Sequence, residues 1–233
     1  MRNASTSPDD PAFAPEFLQP TEFLDGDSPE VAGFVERAVE GAETDVERAV
    51  RIFYAVRDEI RYDPYSISMK RDYFKASTTV REGFAFCIPK AILLAAAARR
   101  AGIPAKVGFA DVKNHLSTEK LRAAMNGKDL FIYHGYTVLY LDGKWVKATP
   151  AFNRELCEKF GVRSLEFDGR SDSLLHPYDM NNRRHMEYVR ERGDFADFDF
   201  EGITGAFKSY YGNPFDEDSD PKGRFEDDTP ITP

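Results

Sequence analysis

Apolar residues recur at helical spacing through the first hundred residues and at strand spacing afterwards. Val46, Ala49, Val50, Phe53, Tyr54 and Val56 mark one helix face. They predict a helix from about Thr44 to Ile60, started by Thr44 or Asp45. A shorter helix over Ser28–Glu40 precedes it, with Gly41 as its stop. Asp63-Pro64 breaks the pattern as an extended or turn dipeptide. The next helix spans about Pro89 to Ala101, because proline is tolerated in a first turn whose N–H groups lack intrahelical partners. Its run from Ala91 to Ala98 is apolar nearly all round, which predicts deep burial. Arg99 and Arg100 complement the C-terminal dipole, Gly102 gives a left-handed stop and Pro104 bars continuation.

Beyond that stop the period shortens. Ala105–Asp111, Leu130–Leu141 and Lys144–Thr149 read as strands rich in β-branched and aromatic residues. Asp142-Gly143 is a two-residue hairpin turn between the last two. His115–Lys128 reads as a short helix and loop, and residues 183–193 and 202–211 as helical. Helices first and an antiparallel sheet afterwards define an α+β class.

The 233 residues suffice for one sizeable core. Residues 1–15, rich in proline and small polar residues, read as a mobile arm. Residues 213–233 read as an acidic disordered tail, which leaves a folded body of about 16–212. Between Asp216 and Asp228 seven acids face Lys222 and Arg224. The overall charge of −9 argues against nucleic acid or an anionic membrane as partner. No segment is long and apolar enough to span a bilayer, and Met1–Pro15 has no stretch resembling a signal peptide. Two cysteines make a disulfide framework unexpected, so a cytoplasmic setting with free thiols is the default.

Cys87 lies at or beside the start of the buried helix. Free N–H groups and the positive dipole end there favour a thiolate, which predicts a thiol pKa drawn below ~8.5 by one or more units. The same groups can stabilise an oxyanion. A small buried hydrophobe is the competing account of Cys87 and the preferred one for Cys157. The base candidate is His134, in mid-strand, with Ile132, Tyr136 and Val138 on its face. If Asp142-Gly143 is the loop, Leu141 pairs with Lys144 and Thr149 falls opposite Tyr136. Thr149 is then a diagonal neighbour of His134, at roughly 7–8 Å between Cα atoms. That places its hydroxyl to orient the imidazole. His115 is the rival base, while His176 and His185 read as surface residues. No Cys/His spacing resembles a zinc site, no calcium loop is present and no cofactor is implied.

Two blocks resemble the transglutaminase-like superfamily of cysteine enzymes, whose fold is papain-like. One runs from Gly83 through Cys87 to the Arg-Ala-Gly-Ile-Pro-Ala ending at Ala105. The other runs from His134 through Asp142-Gly143-Lys-Trp145 to Thr149-Pro150. The resemblance implies a Cys–His–Asp triad attacking an amide, ester or thioester carbonyl, the nucleophile opening a buried helix packed on an antiparallel sheet. It places Thr149 where the family carries aspartate, so charge on the third member is missing; Asn153 or Asp111 could orient the ring instead. Tyr136 replaces a frequent tryptophan, and Phe84 and Phe86 crowd the nucleophile, suggesting a dry, aromatic-lined entrance. Phe207, Tyr210, Tyr211 and Phe215 could line the pocket or serve the core. The expected function is a cysteine hydrolase or acyl transferase using a thioester intermediate, on a peptide or an amide-bearing small molecule. The alternative is a binding module that kept the fold and lost the chemistry. Oligomeric state is not specified by the sequence.

Overall fold

The computed structural model describes residues 14–114, 117–174, 186–212 and 223–228. Helices α1 (Pro29–Ala38), α2 (Asp45–Glu59), α3 (Ala76–Glu82) and α4 (Cys87–Arg100) come first. A four-stranded antiparallel sheet follows, in the order β5-β4-β3-β6: β3 (Ala105–Asn114), β4 (Leu130–Leu141), β5 (Lys144–Ala148) and β6 (Met186–Phe195). Helices α5 (Glu119–Ala124) and α6 (Arg154–Phe160) lie in the connections, and α7 (Phe200–Tyr211) follows β6. The fold is α+β, and no described helix is long and apolar enough to cross a membrane.

The local reasons are legible. A reciprocal box starts α2: Glu47 N–H donates to Thr44 Oγ1 at 3.2 Å and Thr44 N–H to the Glu47 carboxylate at 3.1 Å. Helix α4 is buried from Cys87 to Arg99, as its apolar run requires, with α1–α3 on one side and β3 and β4 on the other. Lys90, fully buried within it, donates to the Arg57 carbonyl at 3.0 Å and to that of Ile60. One lysine thereby satisfies carbonyls left open where α2 ends. At the other end Arg99 donates to the carbonyls of Gln19, Ala105 and Ala196, fixing α4 to the sheet. Gly102 closes the helix at φ +81°.

The Asp142-Gly143 turn is the expected hairpin, with both residues at positive φ and Leu141 paired with Lys144. Two strands of two residues, β1 (Arg61–Tyr62) and β2 (Phe84–Ala85), pair in parallel and bring Tyr62 beside Ala85, just ahead of Cys87.

Some expectations give way. Residues 186–195 form edge strand β6 rather than a helix, because β3 supplies a partner that local periodicity cannot reveal. Helices α3 and α6 were not anticipated. Within the acidic stretch expected to be disordered, residues 223–228 are docked. Phe225 is buried against Tyr62, Tyr65 and Phe160, and the Asp228 carboxylate accepts from Tyr65 Oη at 2.6 Å and Lys120 Nζ at 2.9 Å. Residues 1–13 of the N-terminal arm, and the rest of the acidic segment, lie outside the described residues, as do His115, His176, His185 and Phe215.

Candidate active site

Cys87 is the first residue of α4, and no side chain caps that helix start. The backbone N–H groups of Cys87 and Ile88 therefore remain near the thiol, joined from β4 by the N–H of Gly135. Gly135 follows His134 directly, so the nucleophile and base candidates stand on adjoining backbones. The approach is close: a Cβ on Gly135 would lie 2.9 Å from Ile88 Cα and 3.2 Å from the Cys87 carbonyl oxygen. A glycine inside a strand marks such an approach, and this was the available sequence signal for Gly135.

Cys87 and His134 line one narrow pocket with about 40 Å³ of free space, room for a few water molecules. The rest of its wall is apolar or aromatic, including Tyr62, Phe86, Met125, Phe131, Phe207 and Tyr211, with no charged side chain among the described residues. The aromatic entrance expected from the sequence is thus present at Phe86, whereas Phe84 faces Arg61 in β2. The Tyr211 hydroxyl is occupied by the β4 backbone, accepting from Ile132 N–H at 2.8 Å and donating to the Leu130 carbonyl at 3.2 Å.

Burial, not the helix dipole, dominates the thiol. It pushes Cys87 up to about 11 against the opposing N–H groups, the reverse of the sequence expectation. Burial also pulls His134 down to about 4. At neutral pH the pair is a neutral thiol beside a neutral imidazole. Full proton transfer between them is uphill, because burial disfavours both the thiolate and the imidazolium.

The three candidates for orienting His134 are all close-packed, and none hydrogen-bonds its ring. Thr149 is buried, its N–H donates to the Ser173 carbonyl at 2.9 Å, and its Oγ1 has no partner among the described residues. The β4–β5 ladder ends one step earlier, at Thr137 opposite Ala148, so Thr149 lies just past the paired residues and the expected bond to the imidazole is not formed. Asn153 Oδ1 accepts from Tyr62 N–H at 3.1 Å. The Asp111 carboxylate accepts from Tyr133 N–H and from Arg192. His134 Nε2 is itself buried and has no hydrogen-bond partner among the described residues. Cys157, on α6, is a buried thiol pushed up to about 11, in keeping with a core role.

A histidine held neutral by burial costs stability in acid. Between pH 6.5 and about 4 the unfolded chain binds a proton that the folded chain refuses, so this contribution is full above pH 6.5 and is lost as pH falls toward 4. His134→Gln should therefore lose less stability than the parent between pH 6.5 and 4.5, by up to about 3 kcal/mol, read from urea midpoints. Equal losses in the two proteins would show that the ring is hydrated.

A family model described as transglutaminase-like superfamily matches residues 32–150, which include Cys87, His134 and Thr149. No curated protein matches the chain. Among solved structures, a "putative cysteine protease" from Cytophaga hutchinsonii shares 19% identity over 57% of this chain and 40% of its own, with a TM-score of 0.43. A "putative protease" from Parabacteroides distasonis ATCC 8503 shares 16% over 50% of this chain and 22% of its own, with a TM-score of 0.36. This chain thus corresponds to less than half of either protein.

Proposed function

Because this chain belongs to the transglutaminase-like superfamily, we propose that it is a cysteine hydrolase or acyl transferase acting on an amide-type bond through a thioester on Cys87. The observation that carries the reading is the convergence of Cys87, His134 and the Gly135 N–H on one mostly apolar pocket at the open N-terminus of α4.

The chemistry follows from the neutral resting pair. Cys87 Sγ attacks the carbonyl carbon, and His134 removes the thiol proton as the S–C bond forms, so no free thiolate has to accumulate. The carbonyl π pair moves onto oxygen, where the N–H groups of Cys87, Ile88 and Gly135 are the candidate donors to the oxyanion. When the intermediate collapses, the C–N bond breaks and His134 returns the proton to the leaving amine. Water or another nucleophile then cleaves the thioester. The uncharged wall favours an apolar or aromatic group beside the scissile carbonyl, on a peptide or a small amide.

The test is covalent trapping. The protein is mixed with activated esters and acyl thioesters carrying apolar or charged acyl groups, quenched in acid and mapped by mass spectrometry. An acyl adduct on Cys87, favouring apolar donors, absent in Cys87→Ala and slowed about 10²-fold or more in His134→Ala, is the expected result. Folded protein that gives no adduct on Cys87 with any donor would refute it. The uncharged Thr149 and the neutral pair favour a second reading, a binding module. In that case Cys87→Ala would bind the same peptides as the parent, and neither would turn them over.

A further inference from the structure

The register of the sheet changes beside His134. Pairing between β3 and β4 runs to Ala110 opposite His134 and resumes at Val112 opposite Phe131. That is two steps on β3 against three on β4, so β4 carries one extra residue next to the base candidate. Such a bulge bends its strand and re-aims the neighbouring side chains. Tyr133 occupies it at φ +56°, a left-handed conformation that a bulky aromatic residue rarely adopts. Something must hold it there.

Asp111, only 4% exposed, is the β3 residue opposite the bulge. Its Oδ1 accepts the Tyr133 N–H at 3.1 Å. Arg192 of β6 grips the same carboxylate with both arms, Nε at 2.6 Å and Nη2 at 2.8 Å, while its guanidinium lies 4.1 Å from the centre of the Tyr133 ring. Pairing of β3 with β6 also shifts here, between Phe109 and Ala110 and between Asp111 and Val112. Three strands leave the regular ladder around one carboxylate, and that carboxylate holds the backbone of the residue before His134. The ring has no orienting bond from Thr149, Asn153 or Asp111 itself; it meets the Tyr188 ring edge-on at 6.5 Å between centres and hangs from the backbone that Asp111 holds.

We infer that Asp111, clamped by Arg192, is a positioning residue that aims His134 through the Tyr133 bulge. The inference rests on the Cys87–His134 reading above. It assigns to a carboxylate the orienting task that Thr149 does not perform, with no contact between carboxylate and imidazole.

Two readouts separate this inference from the enzymatic reading it rests on. The first is the pair of His134 ring ¹⁵N resonances, assigned by their loss in His134→Gln. The second is the rate of Cys87 acylation. Asp111→Asn and Arg192→Gln should each move the ring resonances and slow acylation about 10²-fold, the scale expected when a catalytic group is misplaced by about 1 Å. Lys113→Gln, on the same strand as Asp111, breaks an ion pair with Asp129 just ahead of β4 and should alter neither. Should Asp111→Asn fail to fold, Arg192→Gln decides, because that side chain is already one-fifth exposed. Folded variants whose ring resonances and rate match the parent would overturn the inference. A parent inert toward every acyl donor would count against the enzyme, yet movement of the resonances would still support the positioning role.

Discussion

Gly135→Ala is expected to abolish acylation of Cys87 almost completely while leaving a folded protein. The added methyl would meet Ile88 Cα at 2.9 Å and Cys87 O at 3.2 Å, both backbone atoms that no rotamer change can move. Ordinary carbon contacts lie at about 3.5–4.0 Å, so β4 and α4 must separate by roughly half an ångström to one ångström. That strain costs about 1–3 kcal/mol, within the reserve of an ordinary domain. The chemical loss is larger. The shift draws the Gly135 N–H away from the thiol and carries His134 with it, for a fall of about 10²-fold or more in acylation rate. Trapping rates and urea midpoints together check this. A variant as reactive as the parent would mean that the pair does not depend on this approach.

Lys90→Ala should be among the most destabilising single changes in the chain, at about 3–5 kcal/mol. It leaves the Arg57 and Ile60 carbonyls without their donor and opens a cavity where the lysine stem lay. Lys90→Met refills the stem and should cost about 1–3 kcal/mol, from the two unpaired carbonyls alone. Burial lowers the Lys90 amine from 10.5 to about 7. Between those values the unfolded chain binds a proton that the folded chain does not, so this amine makes stability rise with pH, by up to about 1.4 kcal/mol per pH unit. Urea midpoints at pH 7, 8 and 9 should climb in the parent and flatten in Lys90→Met. Above pH 9 the two buried thiols oppose the trend, because the unfolded chain then releases protons that the fold retains. A Lys90→Met protein as pH-dependent as the parent between 7 and 9 would place the rise on another group.

The parts of the site set by local rules could be read from the chain. Thr44 with Glu47, the apolar run of α4 and the Asp-Gly turn each act within a few residues, and together they give the nucleophile helix and the hairpin register. What was lost depends on partners far away in sequence. Met186–Phe195 carries five charges in ten residues, and the stretch 183–193 reads as a helix until β3 pairs with it. The bulge at Tyr133 is hydrogen-bonded by Asp111, which Arg192 meets from a neighbouring strand. The direction of the thiol pKa was missed for the same reason. A helix start is visible in sequence, but the burial that outweighs it comes from the whole wall of the pocket.

The clamp joins residues 81 positions apart, and its arginine lies on the last strand of the sheet. A ribosome delivers the thiol, then the imidazole, and the guanidinium only after both. Chains begin to fold from the N-terminus as they emerge. A nascent chain reaching Leu174 therefore holds every atom of the proposed chemistry without the means to aim it. On the inference above, the imidazole would be aimed only once the last strand has joined the sheet.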